Sequence, residues 1–235
     1  MAGLVGLSPE HLGALDPLRA MLAKWPEGVP IIKPMYHTPV LFPGPSGVEA
    51  KNARFGIARQ FSSFNARSEA LTESRMWKSL FGKHHAVAPL SYIVEWREEG
   101  GARVPYLISR SDGGVLLTPA LWSPCFDDRT DTGFAICTRA PNRFFAHFHD
   151  RMVGVLTPEL MERWLHPADS TPATLLECVR APADDELVAR RAKGELMKRK
   201  AEDTSPIETT GQVLTFADFE GKGRKGAAKQ ARLGG

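Results

Sequence analysis

At 235 residues, with 43% hydrophobic and 24% charged residues, the chain has ordinary globular composition and room for one domain with a substantial core. A net charge of +3 permits contact with nucleic acid without indicating it. No apolar run approaches the ~20 residues a membrane span needs. The N-terminus lacks the basic start and small-residue cleavage site of a secretory signal. Cys125, Cys137 and Cys178 are scattered and odd in number, which argues against a disulfide framework or zinc spacing and fits a reducing cytosol.

In chain order, Ser8-Pro9-Glu10 and Asp16-Pro17 read as starts of two short helical pieces over 9–24. The proline- and glycine-rich stretch 26–47 reads as loop and edge strand. Thr72 to Phe81 places Trp77, Leu80 and Phe81 on one face and stops at Gly82, the pattern of an amphipathic helix. Residues 86–97 and 103–109 read as strands flanking the Glu98-Glu99-Gly100-Gly101 turn. Asp112-Gly113-Gly114 turns the chain into a strand over 115–122, and 133–139 and 151–156 complete a mostly antiparallel set. Thr157-Pro158 and Thr171-Pro172 start two more helices, and 184–200 has a charged, helical spacing. Strands and helices do not alternate regularly, so a parallel nucleotide-binding sheet is not expected. After Glu220 come Lys222, Arg224, Lys225, Lys229 and Arg232 with no acid, a basic tail that is either solvated or in contact with phosphates.

Three runs place polar groups in strand-like sequence: Asn65-Ala66-Arg67-Ser68-Glu69, Tyr92-Ile93-Val94-Glu95-Trp96 and His149-Asp150-Arg151-Met152. Burying such groups costs several kcal/mol unless they are paired or used. An amide, a carboxylate and an imidazole together can orient a sugar, move protons and steady a developing charge. Each has a plainer reading. Asn65 suits a turn or helix cap, Glu95 a strand end meeting solvent or an arginine, and His149 a hydrogen-bonded core position. Arg67 and Arg151 can grip phosphates or pair internally with Glu69 or Asp150. Trp96 and Phe55 can stack on bases or fill the core. His147 and His149 form an H-x-H pattern, but no third ligand has suitable spacing for a metal.

The three runs, in that order, resemble the SOS-response-associated peptidase family of abasic-site-processing proteins. Arg54-Phe55-Gly56-Ile57, Val104-Pro105-Tyr106-Leu107-Ile108, Ala120-Leu121-Trp122, Phe134-Ala135-Ile136-Cys137-Thr138 and Ala140-Pro141-Asn142 are similar to its other segments, so the likeness covers roughly residues 1–180. The resemblance implies an α+β fold, a mostly antiparallel curved sheet forming a pseudo-barrel with peripheral helices. One such domain would span 1–205, and 206–235 would be a poorly matched segment ending in the basic tail. It further implies Ala2, Asn65, Glu95 and His149 as catalytic positions, and Arg67, Trp96, Phe55, Arg151 and Thr138 as DNA contacts. The expected partner is single-stranded DNA carrying abasic sites, with no cofactor, no metal and no membrane, and the expected state is a cytoplasmic, nucleoid-associated monomer.

The family begins Met-Cys-Gly-Arg; its exposed cysteine forms a Schiff base and then a thiazolidine with the ring-opened sugar. Here the chain reads Met1-Ala2-Gly3-Leu4, so no thiazolidine can form at position 2. Ala2 is small enough for Met1 to be removed. Its α-amine, with a reference pKa of about 7.7–8.0, would be a nucleophile near neutral pH. Two functions of different class follow. One is Schiff-base and lyase chemistry, with peptidase action confined to the chain's own N-terminus. The other is a catalytically silent module that binds single-stranded DNA. A general protease is disfavoured, because no nucleophile–base pair is visible.

Overall fold

The computed structural model describes residues 5–7, 29–57, 63–124, 132–200, 203 and 205–220. Ala2, the helix starts at Ser8 and Asp16, Cys125 and the basic tail lie outside these residues. The described strands are β1 (Val5–Leu7), β2 (Val29–Ile32), β3 (His37–Gly44), β4 (Gly47–Phe55), β5 (Asn65–Arg67), β6 (His85–Leu90), β7 (Tyr92–Glu99), β8 (Ala102–Arg110), β9 (Leu116–Ser123), β10 (Gly133–Arg139), β11 (Met152–Val153), β12 (Leu187–Ala192) and β13 (Thr209–Leu214). The described helices are α1 (Arg75–Leu80), α2 (Pro158–Leu165) and α3 (Pro172–Cys178).

One sheet has the order β13-β12-β8-β7-β1-β2. In the other, β10-β4-β3-β6-β9 closes on itself through a β9–β10 pairing, so the strands form a ring. Most pairs are antiparallel; β10 runs parallel to β4 and β5. The expected α+β class with a curved, ring-like sheet is the architecture found. Gly133 to Thr138 of β10 are all buried, as befits a strand covered on both faces. Phe55, Phe134, Phe144, Phe145 and Trp164 are each less than 2% exposed. Burying a side chain of this size stabilises the fold by about 1.5–3 kcal/mol.

Local chemistry sets several elements. Gly100 and Gly101 have φ of 57° and 83°, the left-handed pair that a two-residue hairpin needs between β7 and β8. α1 buries Trp77 and Leu80 and ends before Gly82 at φ 80°. The Thr157 and Thr171 hydroxyls accept from the Leu160 and Thr174 amides, with proline next in line, capping α2 and α3.

Three sequence expectations need correction. Residues 86–97 are two strands in different sheets: β6 pairs with β9, and β7 with β1 and β8, the chain crossing at buried Ser91. β3 is not an edge strand, since β4 and β6 flank it. Its link to β6 is the single pair Leu41–Val87, a thin ladder that Pro39 and Pro43 disturb little. Residues 184–200 are not a helix. Leu187 and Ala189 of β12 fill the main core while five residues pair with β8, and tertiary pairing overrides the helical charge spacing. β13, from the poorly matched segment, adds to β12.

Candidate functional site

Glu95 lies in the middle of β7 at 1% exposure. On this strand Ile93 and Glu95 face the main core, while Val94 and Trp96 face a smaller cluster with Ile31, Leu107, Ala192 and Leu196. Across the ladder Glu95 stands opposite Tyr106. The Tyr106 ring meets Phe148 edge-on, with centroids 5.2 Å apart, and its hydroxyl donates to the Glu99 carboxylate at 2.7 Å. Phe148 directly precedes His149, so Tyr106 joins the strand of Glu95 to the segment of the imidazole.

Asn65 and Arg67 share one face of β5, which pairs in parallel with Ile136–Thr138, while Ala66 fills the core behind them. Arg67 is exposed and Asn65 half-buried. The Asn65 Oδ1 is buried and has no hydrogen-bond partner among the described residues. Leaving such an acceptor unmatched costs about 1–3 kcal/mol, which a ligand's donor would recover.

The third run closes the arrangement. The Arg151 guanidinium donates to both oxygens of Glu69, at 2.9 and 2.8 Å, and to the Thr138 carbonyl at 2.9 Å. Glu69 lies two residues past the end of β5, and the same guanidinium holds its carboxyl below the usual carboxylate range. Arg151 thus clamps the Asn65 run to β10 and to the His149 run.

His149 Nδ1 lies 3.0 Å from the Arg151 amide and 2.7 Å from the Asp150 carboxylate. These contacts belong to different protonation states. A neutral ring accepts the amide proton at Nδ1 and carries its own proton on Nε2; a protonated ring donates from Nδ1 to Asp150. Burial pulls the His149 pKa below its ordinary value, with Asp150 opposing, so the neutral state and the amide contact prevail near neutral pH.

Other expected contacts fall elsewhere. Phe55 is 1% exposed, stacked on Phe134 and edge-on to Phe64, so its ring is core and base stacking by it is set aside. Thr138, at 2% exposure, meets Arg151 rather than solvent. Trp96 faces away from Glu95, with the Arg103 guanidinium 5.8 Å from its ring. His147 stacks on Phe219 at 4.2 Å. No group of three or more His, Cys, Asp or Glu among the described residues is placed to hold a metal. Sequence reasoning missed Tyr106 and Phe219 as organisers of this region, because cross-strand pairing and ring contacts over long separations leave no local signal.

β1 is antiparallel to β7, with Val5 opposite Ile93 and Gly6 opposite Tyr92. The N-terminal end of β1 therefore faces the half of β7 that carries Glu95.

Comparison with known proteins bears on the family and the fold. The family described as SOS response associated peptidase (SRAP) matches residues 32–198. The chain is 30% identical over 148 residues to the abasic site processing protein YedK of Escherichia coli strain K12, covering 61% of this chain and 67% of that protein. It is 32% identical over 118 residues to the abasic site processing protein YMR114C of Saccharomyces cerevisiae, covering 49% of this chain and 32% of the yeast protein, so the chain spans about a third of that relative. Among solved structures, a Bacteroides thetaiotaomicron protein superposes with a TM-score of 0.72 at 17% identity, covering 86% of this chain and 97% of that one. A phage-related protein from Bordetella bronchiseptica superposes with a TM-score of 0.63 at 21% identity, covering 83% and 95%. These two share the fold. From the length of the family match, the chain belongs to the SOS response associated peptidase (SRAP) family.

Proposed function

We propose that the protein binds single-stranded DNA at abasic sites and processes them through its N-terminal amine. The observation that carries this reading is the coupling of the three runs, Glu95 to His149 through Tyr106 and Phe148, and Asn65 to His149 through Glu69 and Arg151. Relatives named as abasic site processing proteins support the substrate class. The direction of β1 supports the nucleophile: β1 begins at its Glu95 side, and only Gly3 and Leu4 lie between Ala2 and Val5, three Cα steps of at most about 10 Å of chain.

With Met1 removed, the Ala2 amine adds to the aldehyde of the ring-opened sugar and water leaves, giving an imine. A base then takes a proton from the carbon beside the imine carbon. The electron pair forms a double bond as the carbon–oxygen bond to the phosphate on the 3′ side breaks, and that phosphate departs. Water hydrolyses the imine and frees the amine. Glu95 serves as the base, neutral His149 donates from Nε2 to the sugar oxygen, and Asn65 Oδ1 accepts from a sugar hydroxyl. Arg67 meets a flanking phosphate. Peptidase action is confined to the protein's own N-terminus.

Glu95→Gln tests the assignment. Affinity for single-stranded DNA stays while strand cleavage falls by about 10²–10⁴-fold; undiminished cleavage refutes the role of Glu95. A second reading, a silent DNA-binding module, is favoured by one observation, alanine at position 2 where the family has cysteine. It expects DNA binding and no cleavage by either protein.

A further inference from the structure

We infer that Arg97 and Arg191 form a phosphate-binding subsite on the Glu95 face of the sheet, holding a second backbone phosphate of the bound single strand beside the lesion. This deepens the proposed function and rests on it. Strand register puts both arginines next to Glu95. Tyr106 stands opposite Glu95 on one side and opposite Arg191 on the other, so the three form one row across β7, β8 and β12 and share a face. The spacing of strands puts the Arg191 backbone about 9–10 Å from that of Glu95. Arg97, two positions further along β7, lies on the same face about 6.8 Å from Glu95.

Both guanidiniums have donors to spare. The Arg97 side chain is 32% exposed and sits in an aromatic cradle, 5.9 Å from the centre of the Phe148 ring and 5.1 Å from that of Phe219. Phe219 is itself fixed, stacked on His147 at 4.2 Å and edge-on to Phe148 at 5.9 Å. Rings hold a guanidinium in place and leave its N–H groups free to donate. Arg97 faces Glu99 Oε1 at 3.6 Å, beyond hydrogen-bond length, and that oxygen already accepts from the Tyr106 hydroxyl at 2.7 Å. Arg191 is exposed, and among the described residues its side chain makes no hydrogen bond or ion pair. Both charges act on the Tyr106 hydroxyl: burial and Glu99 raise its pKa, and Arg97 and Arg191 oppose the rise. Two guanidiniums with open donors suit the two unesterified oxygens of a phosphodiester. Phe148 leads directly into His149, so a strand whose sugar lies between Glu95 and His149 passes this point. Phe219 lies outside the matched family region of 32–198, so part of the cradle comes from this chain's C-terminal segment.

The test uses the full chain and a fluorescein-labelled oligothymidine carrying one tetrahydrofuran abasic analogue, which has no aldehyde and so reports binding alone. Single methylphosphonate linkages, each removing one phosphate charge, are placed in turn on either side of the analogue. Arg191→Gln is compared with Arg190→Gln, which removes the same charge one position away on the opposite face of β12. Arg191→Gln is expected to weaken binding about tenfold, and Arg190→Gln by less than about threefold. At one flanking linkage the methylphosphonate lowers the affinity of the unaltered chain and lowers that of Arg191→Gln no further. Arg97→Gln is insensitive at the same linkage, and urea unfolding checks that each variant is folded. Equal weakening by Arg191→Gln and Arg190→Gln overturns the inference and leaves the proposed function intact. So does a folded Arg191→Gln or Arg97→Gln protein that loses affinity at every linkage where the unaltered chain does. No binding by the unaltered chain at low salt overturns the proposed function, and this inference with it.

Discussion

Arg151 and Glu69, 82 positions apart, meet in a two-pronged ion pair with N–O distances of 2.9 and 2.8 Å. Arg151 is 19% exposed at its side chain and Glu69 56%, and the same guanidinium reaches the Thr138 carbonyl. Solvent screens much of the pair's energy. A double-mutant cycle of Glu69→Ala and Arg151→Ala is expected to return a coupling of about 0.5–1 kcal/mol in urea unfolding. The larger consequence concerns placement. Arg151→Lys keeps the charge and loses the fork, so abasic-site cleavage falls more than stability does. Equal cleavage by the lysine variant would show that the fork does not position the site.

Phe55 and Trp96 separate by a mutational contrast. Phe55 sits between Phe64 and Phe134 in the core, so Phe55→Ala is expected to cost about 3–5 kcal/mol in denaturant unfolding. Trp96 is half-buried, and Trp96→Ala costs less. A Phe55→Ala protein of unaltered stability would contradict the core assignment.

The contrast shows what the sequence discloses and what it hides. Thr157-Pro158 and Thr171-Pro172 mark helix starts because a capping hydroxyl and a fixed φ act within one turn of chain. Gly100-Gly101 marks a hairpin for the same reason: the requirement is local. Ser91 gives no such sign, since the change of sheet there depends on partners far along the chain. Phe55 looks alike in a core and on a binding surface, because an apolar ring suits both. Glu95, Asn65 and His149 stand out as polar groups inside or beside strand-like sequence, yet their linkage runs through Tyr106, Phe148 and Glu69, which only the fold brings together. The charge spacing of 184–200 misled because a periodic pattern does not reveal that β8 offers a strand edge.

Stability will depend on pH through His85. Its Nδ1 lies 2.8 Å from the Trp164 carbonyl and its Nε2 accepts the Gly82 amide at 2.8 Å. Burial pushes its pKa down from 6.5 to about 4. Above 6.5 the ring is neutral whether folded or not, and the group has no effect. As pH falls toward 4 the unfolded chain takes up a proton that the folded chain refuses, so stability drops by about 3 kcal/mol over that window. Urea unfolding at pH 7 and pH 4.5 should show a smaller loss for His85→Gln than for the unaltered protein. Equal losses would contradict the assignment.

His149 offers a second titration. Asp150 opposes the downward shift that burial imposes, so Asp150→Asn lowers the His149 pKa further. The imidazole proton resonances followed by NMR across pH 4 to 8 report it directly. A rise in the midpoint would show that Asp150 does not face the protonated ring.

The N-terminal amine as nucleophile is tested most directly by borohydride reduction. The purified protein is incubated with an abasic single-stranded oligonucleotide, reduced, and examined by intact-mass measurement and peptide mapping. The predicted result is loss of Met1 and one reduced sugar–DNA adduct on the Ala2 α-amine, retained in Glu95→Gln, because the step that Glu95 serves follows the imine. DNA binding with no trapped adduct, or an adduct carried only by a lysine side chain, would contradict the account.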